Sequence, residues 1–298
     1  MKLSAAYGPG KFGLSFELFP PKTDAGDLEL FRHLEDLVAF EPSYITCTYG
    51  AGGSTRHKTL DVVTRVRQRF GASVASHLTC VGSTADELRE YLREADRRGV
   101  ENIVALRGDP PKGQTQFHAV EGGLRYAGEL VRLVRDEFPQ FGIAVAGYPE
   151  THQEAVSPQA DLENLQRKVA AGGDVVITQL FYDNRDFFRF RDDCAALRID
   201  VPIVPGVLPV TNLAQIRRIT SLCGAKLPQE LVASLAANDE RPEEQFEMGV
   251  EFATRQVQEL IDAGVPGVHF YVLNKSQATA RVLRGIKRAT VRTRATNR

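Results

Sequence analysis

The chain has 298 residues, 43% of them hydrophobic and 25% charged, which suits one large buried core of ordinary globular composition. Lys and Arg number 37 against 38 Asp and Glu, and a formal charge of −1 supplies no global attraction to nucleic acid or anionic lipid. No N-terminal apolar core reads as a signal peptide and no run approaches the roughly 20 apolar residues of a membrane span, so a cytoplasmic protein with no membrane and no nucleic-acid partner is expected.

The first candidate strand, 14–18, follows a lead-in over 1–13 in which Gly8-Pro9-Gly10-Lys11-Phe12-Gly13 imitates a dinucleotide fingerprint. That segment precedes a strand instead of following one, and Pro9 lacks an N–H where phosphate needs a donor, so it reads as a flexible lead-in. Further strands are predicted near 44–48, 73–79, 102–106, 142–148, 175–180, 202–207 and 267–273. Most are spaced about thirty residues apart, the length of one strand-loop-helix-loop unit, and each apolar run ends in a polar or ionisable residue. Between them lie helices. Thr84-Ala85-Asp86-Glu87 is a capping box, followed by Leu88, Tyr91, Leu92 and Ala95 at helical spacing until Gly99. Leu162, Leu165 and Val169 make a stripe before Gly172-Gly173, and 186–197 forms the sixth helical unit. About sixty residues separate the last two strands and include a helical stretch from Glu243 to Ala263. The expected fold is α/β, a (β/α)8 TIM barrel in one domain over 1–298, with extra helices before the last strand. The basic stretch from Arg284, with Lys287, Arg288, Arg292, Arg294 and Arg298, reads as a flexible tail.

The strand ends hold the chemistry. Glu17, in an apolar setting, reads either as a general acid whose pKa burial raises or as a rim carboxylate meeting solvent or an Arg. Arg107-Gly108-Asp109 offers a cation and an anion beside a permissive glycine, or merely a local salt bridge. The loop Gly50-Ala51-Gly52-Gly53-Ser54-Thr55 follows the second strand and is either a site loop or a plain turn. Gln179 binds and orients without transferring protons, and Lys275 either pairs with an anionic substrate group or snorkels. His77 and His152 lack the His-x-His and thiolate company of a metal site, so no metal is expected. The four cysteines, Cys47, Cys80, Cys194 and Cys223, lie far apart and read as reduced core thiols. One acid, an Arg/Asp pair and no strong nucleophile or metal favour an organic cofactor carrying the hard chemistry.

Taken in order, 15–21 (Ser-Phe-Glu-Leu-Phe-Pro-Pro), 48–55, 77–80, 105–111 (Ala-Leu-Arg-Gly-Asp-Pro-Pro), 148–152 (Tyr-Pro-Glu-Thr-His), 177–183 and 270–274 resemble methylenetetrahydrofolate reductase over nearly the whole chain. Its length resembles the short bacterial form without a C-terminal regulatory domain. The resemblance implies FAD at the top of the barrel, reduced by NADH or NADPH and reoxidised by 5,10-methylenetetrahydrofolate. It implies FAD contacts at Tyr49, Ala51, His77, Arg107, Gly108, Asp109, Tyr126, Ala127, Tyr148, His152, Asp161, Asn164, Arg167 and Lys168. It also implies Glu17 as the acid, Asp109 as the stabiliser of an iminium cation, substrate contacts at Gln179, Gln215 and Lys275, and Thr48 beside the nicotinamide. Arg107, Arg167 and Lys168 suit a pyrophosphate, and Asp161 suits ribose or adenine. A homo-oligomer is the expected assembly.

Two positions depart from the family pattern: Ile219 stands where known bacterial members stack a Phe on nicotinamide, and Lys275 where some members have Arg. Competing readings are a flavin-free barrel lyase or transferase and a non-catalytic folate-binding protein.

Overall fold

Parallel pairing organises the chain. In the computed structural model, which describes residues 1–49, 56–110, 113–114 and 116–287, the strands are β1 (Gly13–Leu18), β2 (Tyr44–Cys47), β3 (Val74–Thr79), β4 (Asn102–Leu106), β5 (Gly142–Gly147), β6 (Val175–Thr178), β7 (Ile203–Val204), β8 (Gly206–Val207) and β9 (Gly267–Tyr271). The α-helices are α1 (Asp24–Val38), α2 (Arg56–Phe70), α3 (Ala85–Arg97), α4 (Ala127–Glu137), α5 (Pro158–Ala170), α6 (Asn184–Ala196), α7 (Leu213–Cys223), α8 (Gln229–Ala236), α9 (Pro242–Asp262) and α10 (Gln277–Gly285). Every residue of β1, β2, β3 and β6 is buried, as in a parallel sheet covered by helices on one side and filled by its own side chains on the other.

The pairing order is β7-β6-β5-β4-β3-β2-β1-β9-β8. Its two ends, β7 and β8, are separated by Pro205 alone, so the predicted strand over 202–207 is one seventh strand that changes partner midway. Pro205 has no N–H to give, but its carbonyl accepts the His269 N–H at 2.9 Å, and Gly206 N–H donates to Thr178 Oγ1 at 2.9 Å. Pairing therefore continues around the ring, and the TIM barrel expected from the spacing is the fold observed.

Local signals in the sequence explain the helices. The capping box at α3 is formed in both directions, Glu87 N–H to Thr84 Oγ1 at 3.2 Å and Thr84 N–H to Glu87 Oε2 at 2.9 Å, and Leu88, Tyr91, Leu92 and Ala95 are its buried face. The long stretch predicted from Glu243 is α9, which begins one residue earlier with Pro242 in its first turn and packs against α6 and α10. The extra helices are α7 and α8. Two expectations change. The lead-in is packed over its first part and exposed over 9–12: Leu3–Ala6 is a 3-10 turn, Leu3 N–H donates to Asn102 Oδ1 at 2.8 Å, and Tyr7 OH meets Tyr44 OH at 2.5 Å. This segment joins Ala75, Val104, Ala144 and Val175 in an apolar cluster. Arg284 belongs to α10 and not to a tail; Arg288, Arg292, Arg294 and Arg298 lie outside the described residues. Among the described residues no helix is long and apolar enough to cross a membrane.

Candidate active site

Parallel strands deliver their C-terminal residues to one rim, and there a cleft of about 2080 Å³ opens. Glu17 from β1, Thr48 and Tyr49 after β2, His77 from β3, Arg107, Gly108 and Asp109 after β4, Tyr148 after β5 and Gln179 after β6 all line it. Tyr126, Ala127 and His152, with Asp161, Asn164, Arg167 and Lys168 of α5, line the same cleft, as does Ile219 of α7. Gln215 and Lys275 instead line an adjoining cavity of about 730 Å³, which shares Leu208, Tyr271 and Leu273 with the large cleft. Ala51 and the rest of 50–55 lie outside the described residues.

Glu17 is the buried centre of the site. Its register places it opposite Thr46 and Tyr271, and its Oε2 lies 3.2 Å from His77 Nε2 and 3.6 Å from His269 Nε2. His269 is fully buried, and its other ring nitrogen bonds Ser15 Oγ at 2.8 Å. The expected apolar setting with a raised pKa is thus overturned. Burial does push the carboxyl up, but the two imidazoles outweigh it and bring the value down to about 2. His269 was missed in the sequence; a histidine inside the apolar run of the last strand was the available signal.

The cations have partners of their own. Arg107 forks onto Glu154, Nη1 to Oε2 at 2.6 Å and Nη2 to Oε1 at 2.7 Å, so the local pair with Asp109 is replaced by one across two loops. Arg167 donates to Asn164 Oδ1 at 2.8 Å, one helical turn away. Lys168 Nζ donates a hydrogen bond to the Ala146 carbonyl at 2.6 Å, and burial draws its pKa down to about 8 against the pull of Asp161. Asp161 accepts the His152 N–H at 2.9 Å, and the His152 ring meets Tyr148 edge-on at 4.6 Å. Gly108 sits at φ +88, and a Cβ there would come within 2.8 Å of Val81 and 3.0 Å of Thr79, so only glycine fits. Thr79 Oγ1, buried on the same cleft, has no hydrogen-bond partner among the described residues. An enclosed ammonium with one carbonyl acceptor, an orphaned hydroxyl and a glycine that keeps the wall thin are together suited to a polar, anionic ligand.

Comparison with known proteins agrees with the motifs. A family model described as methylenetetrahydrofolate reductase matches residues 2–287. The 5,10-methylenetetrahydrofolate reductase of Escherichia coli K12 is 38% identical over 274 residues, covering 92% of this chain and 90% of that protein. Methylenetetrahydrofolate reductase (NADH) 1 of Zea mays is 37% identical over 292 residues, which is 95% of this chain and 49% of that one. The chain therefore spans about half the length of the plant relatives it matches. A solved protein from Clostridium thermocellum that binds two copies of 5-methyl-5,6,7,8-tetrahydrofolic acid superimposes with a TM-score of 0.62 at 14% identity, covering 95% of this chain and 96% of that chain, a likeness of fold alone. By its motifs, its barrel and a family match over almost its entire length, the chain belongs to the methylenetetrahydrofolate reductase family.

Proposed function

We propose that the protein reduces 5,10-methylenetetrahydrofolate to 5-methyltetrahydrofolate with NADH or NADPH, as an FAD-dependent oxidoreductase working by a ping-pong mechanism. The observation that carries this reading is a buried carboxylate, Glu17, held between two histidines in a cleft that also gathers Arg107, Arg167 and Lys168. Those three cations would hold the cofactor's pyrophosphate, and Asp161 would accept hydrogen bonds from its ribose or adenine. FAD, when bound, supplies hydride acceptance from the nucleotide and hydride delivery to the folate.

The chain's own residues handle the proton and the charge. Glu17 protonates a weakly basic nitrogen of the folate imidazolidine ring, opening it to the 5-iminium cation. The same histidines that hold the Glu17 carboxyl low also lie close enough to relay a proton to it, His77 Nε2 being 3.2 Å from Oε2. Asp109, exposed at the rim, favours the iminium cation electrostatically without transferring a proton. Gln179 and Gln215 orient the substrate, Lys275 pairs with its glutamyl carboxylate, and Thr48 lies beside the nicotinamide.

One anaerobic titration tests the reading. The purified protein is expected to be yellow, to bleach with nicotinamide nucleotide and to recolour with 5,10-methylenetetrahydrofolate. FAD affinity of the apoprotein is expected to fall as pH rises through about 8, where Lys168 loses its charge. A colourless protein that reduces folate at full rate sinks the flavin assignment, and folate binding without flavin turnover supports a non-catalytic role.

A further inference from the structure

The β1–β9 ladder ends in register at Glu17 opposite Tyr271, yet the pairing does not stop there. Two residues beyond Glu17, Phe19 N–H donates to Asn274 Oδ1 at 2.8 Å, and Asn274 Nδ2 donates to the Phe19 carbonyl at 2.8 Å. A side-chain amide thus pairs with both the N–H and the C=O of one residue and extends the ladder by one rung. On the other side of the same chain end, Thr48 N–H donates to the Leu18 carbonyl at 2.8 Å. The strand end that aims Glu17 is therefore gripped from both neighbours.

The grip requires a distorted loop. Leu273 and Asn274 are non-glycine residues at φ +48 and +58, in the left-handed region. Asn is the side chain that best tolerates that region and that carries both a donor and an acceptor. The distortion places Lys275 on the smaller cavity while Leu273 lines both cavities. Just beyond, Ser276 Oγ donates to Asp36 Oδ2 at 2.8 Å and meets His33 Nδ1 at 2.9 Å, anchoring the loop to α1. Strain of this kind persists only where surrounding contacts over-determine it, and here the contacts lie between the proposed acid and the proposed anchor for the substrate carboxylate.

We infer that Asn274 is a positioning residue that fixes the Glu17 strand end and Lys275 relative to each other for the folate half of the reaction. This inference rests on the proposed function. Asp at 274 keeps the shape and the tolerance of positive φ but, ionised, turns a second acceptor toward the Phe19 carbonyl; protonated, it restores the donor. Gly at 274 relieves the backbone strain and removes the grip.

The experiment is stopped-flow measurement of both half-reactions in the holoenzyme for wild type, Asn274→Asp and Asn274→Gly across pH. Both variants are expected to be reduced by nucleotide at the wild-type rate and to lose about ten- to a hundredfold in flavin reoxidation by 5,10-methylenetetrahydrofolate. Relative to wild type at each pH, the Asp variant is expected to recover as its carboxyl gains a proton, whereas the Gly variant stays slow at every pH. Should the Asp variant fail to fold, the Gly variant carries the test. Wild-type turnover with reoxidation in the folded variants within about twofold of it overturns the positioning role alone. A wild-type protein that does not turn over folate overturns the proposed function and this inference with it.

Discussion

At the level of single residues, Glu17 shows how a neighbour can reverse what burial alone dictates. A carboxyl in a dry strand end should hold its proton, and the two imidazoles at 3.2 and 3.6 Å draw it down to about 2 instead. That Glu17 lies on the rim cleft was legible, because an apolar run ending in Glu at a parallel strand end leads there. Its ionisation was not legible, because His269 comes from the far end of the chain and His77 from another strand. Glu17→Gln is expected to fold and accept electrons from nucleotide normally, since that step needs no acid, yet to pass them to folate about a hundred- to ten-thousandfold more slowly. Stopped-flow rates of the two half-reactions decide it; equal slowing of both makes Glu17 structural. The pH dependence follows from the same value. A carboxyl depressed from 4.5 contributes stability that is present above 4.5 and lost as pH falls towards 2. Wild type should shed this component in urea midpoints over that range, and the Gln variant should not.

Among the elements, the seventh strand is where closure of the barrel is decided. Its two halves face different neighbours across Pro205, and Gly206 is where they meet. A Cβ on Gly206 would lie 2.2 Å from the Thr178 carbonyl oxygen and 2.7 Å from the Tyr271 ring, whose hydroxyl itself donates to that carbonyl at 2.7 Å. Neither backbone nor ring can yield without parting β6 from β9 at the rim. Gly206→Ala is therefore expected to cost roughly 1–3 kcal/mol in chemical denaturation, the range for overpacking a closed core. A wild-type midpoint would show that the seam has slack. The strand itself was legible as the apolar run over 202–207, whereas its change of partner was not, because that depends on ring closure and not on any local pattern. The helices with local signals, such as α3 with its capping box, were read almost to the residue. The packing of Leu3, Ala6 and Tyr7 was not legible for the opposite reason: these apolar residues are few and show no period, and only the barrel they pack against makes them core.

For the molecule as a whole, one barrel end serves every proposed ligand. The described residues matched to FAD come from β3, from the segments after β2, β4 and β5, from the start of α4 and from α5, while Glu17 and Gln179 stand on the same cleft, and Thr48 and Ile219, the positions matched to nicotinamide, line it too. The smaller cavity with Gln215 and Lys275 adjoins this cleft across Tyr271 and Leu273, where the tail of the proposed folate substrate would extend. If the proposed function holds, nucleotide and pterin would reach the same reactive ring of the cofactor through this one cleft, each blocking the other. On the proposed reading that sharing would force alternation, with nucleotide binding, delivering its electrons and leaving before folate enters. Initial-velocity lines at varied nucleotide and fixed folate concentrations are expected to be parallel, and the flavin should bleach fully with nucleotide alone. Intersecting lines, together with a flavin that stays oxidised until folate is added, would require both substrates to be bound at once, and the shared opening would then be the wrong account of this barrel.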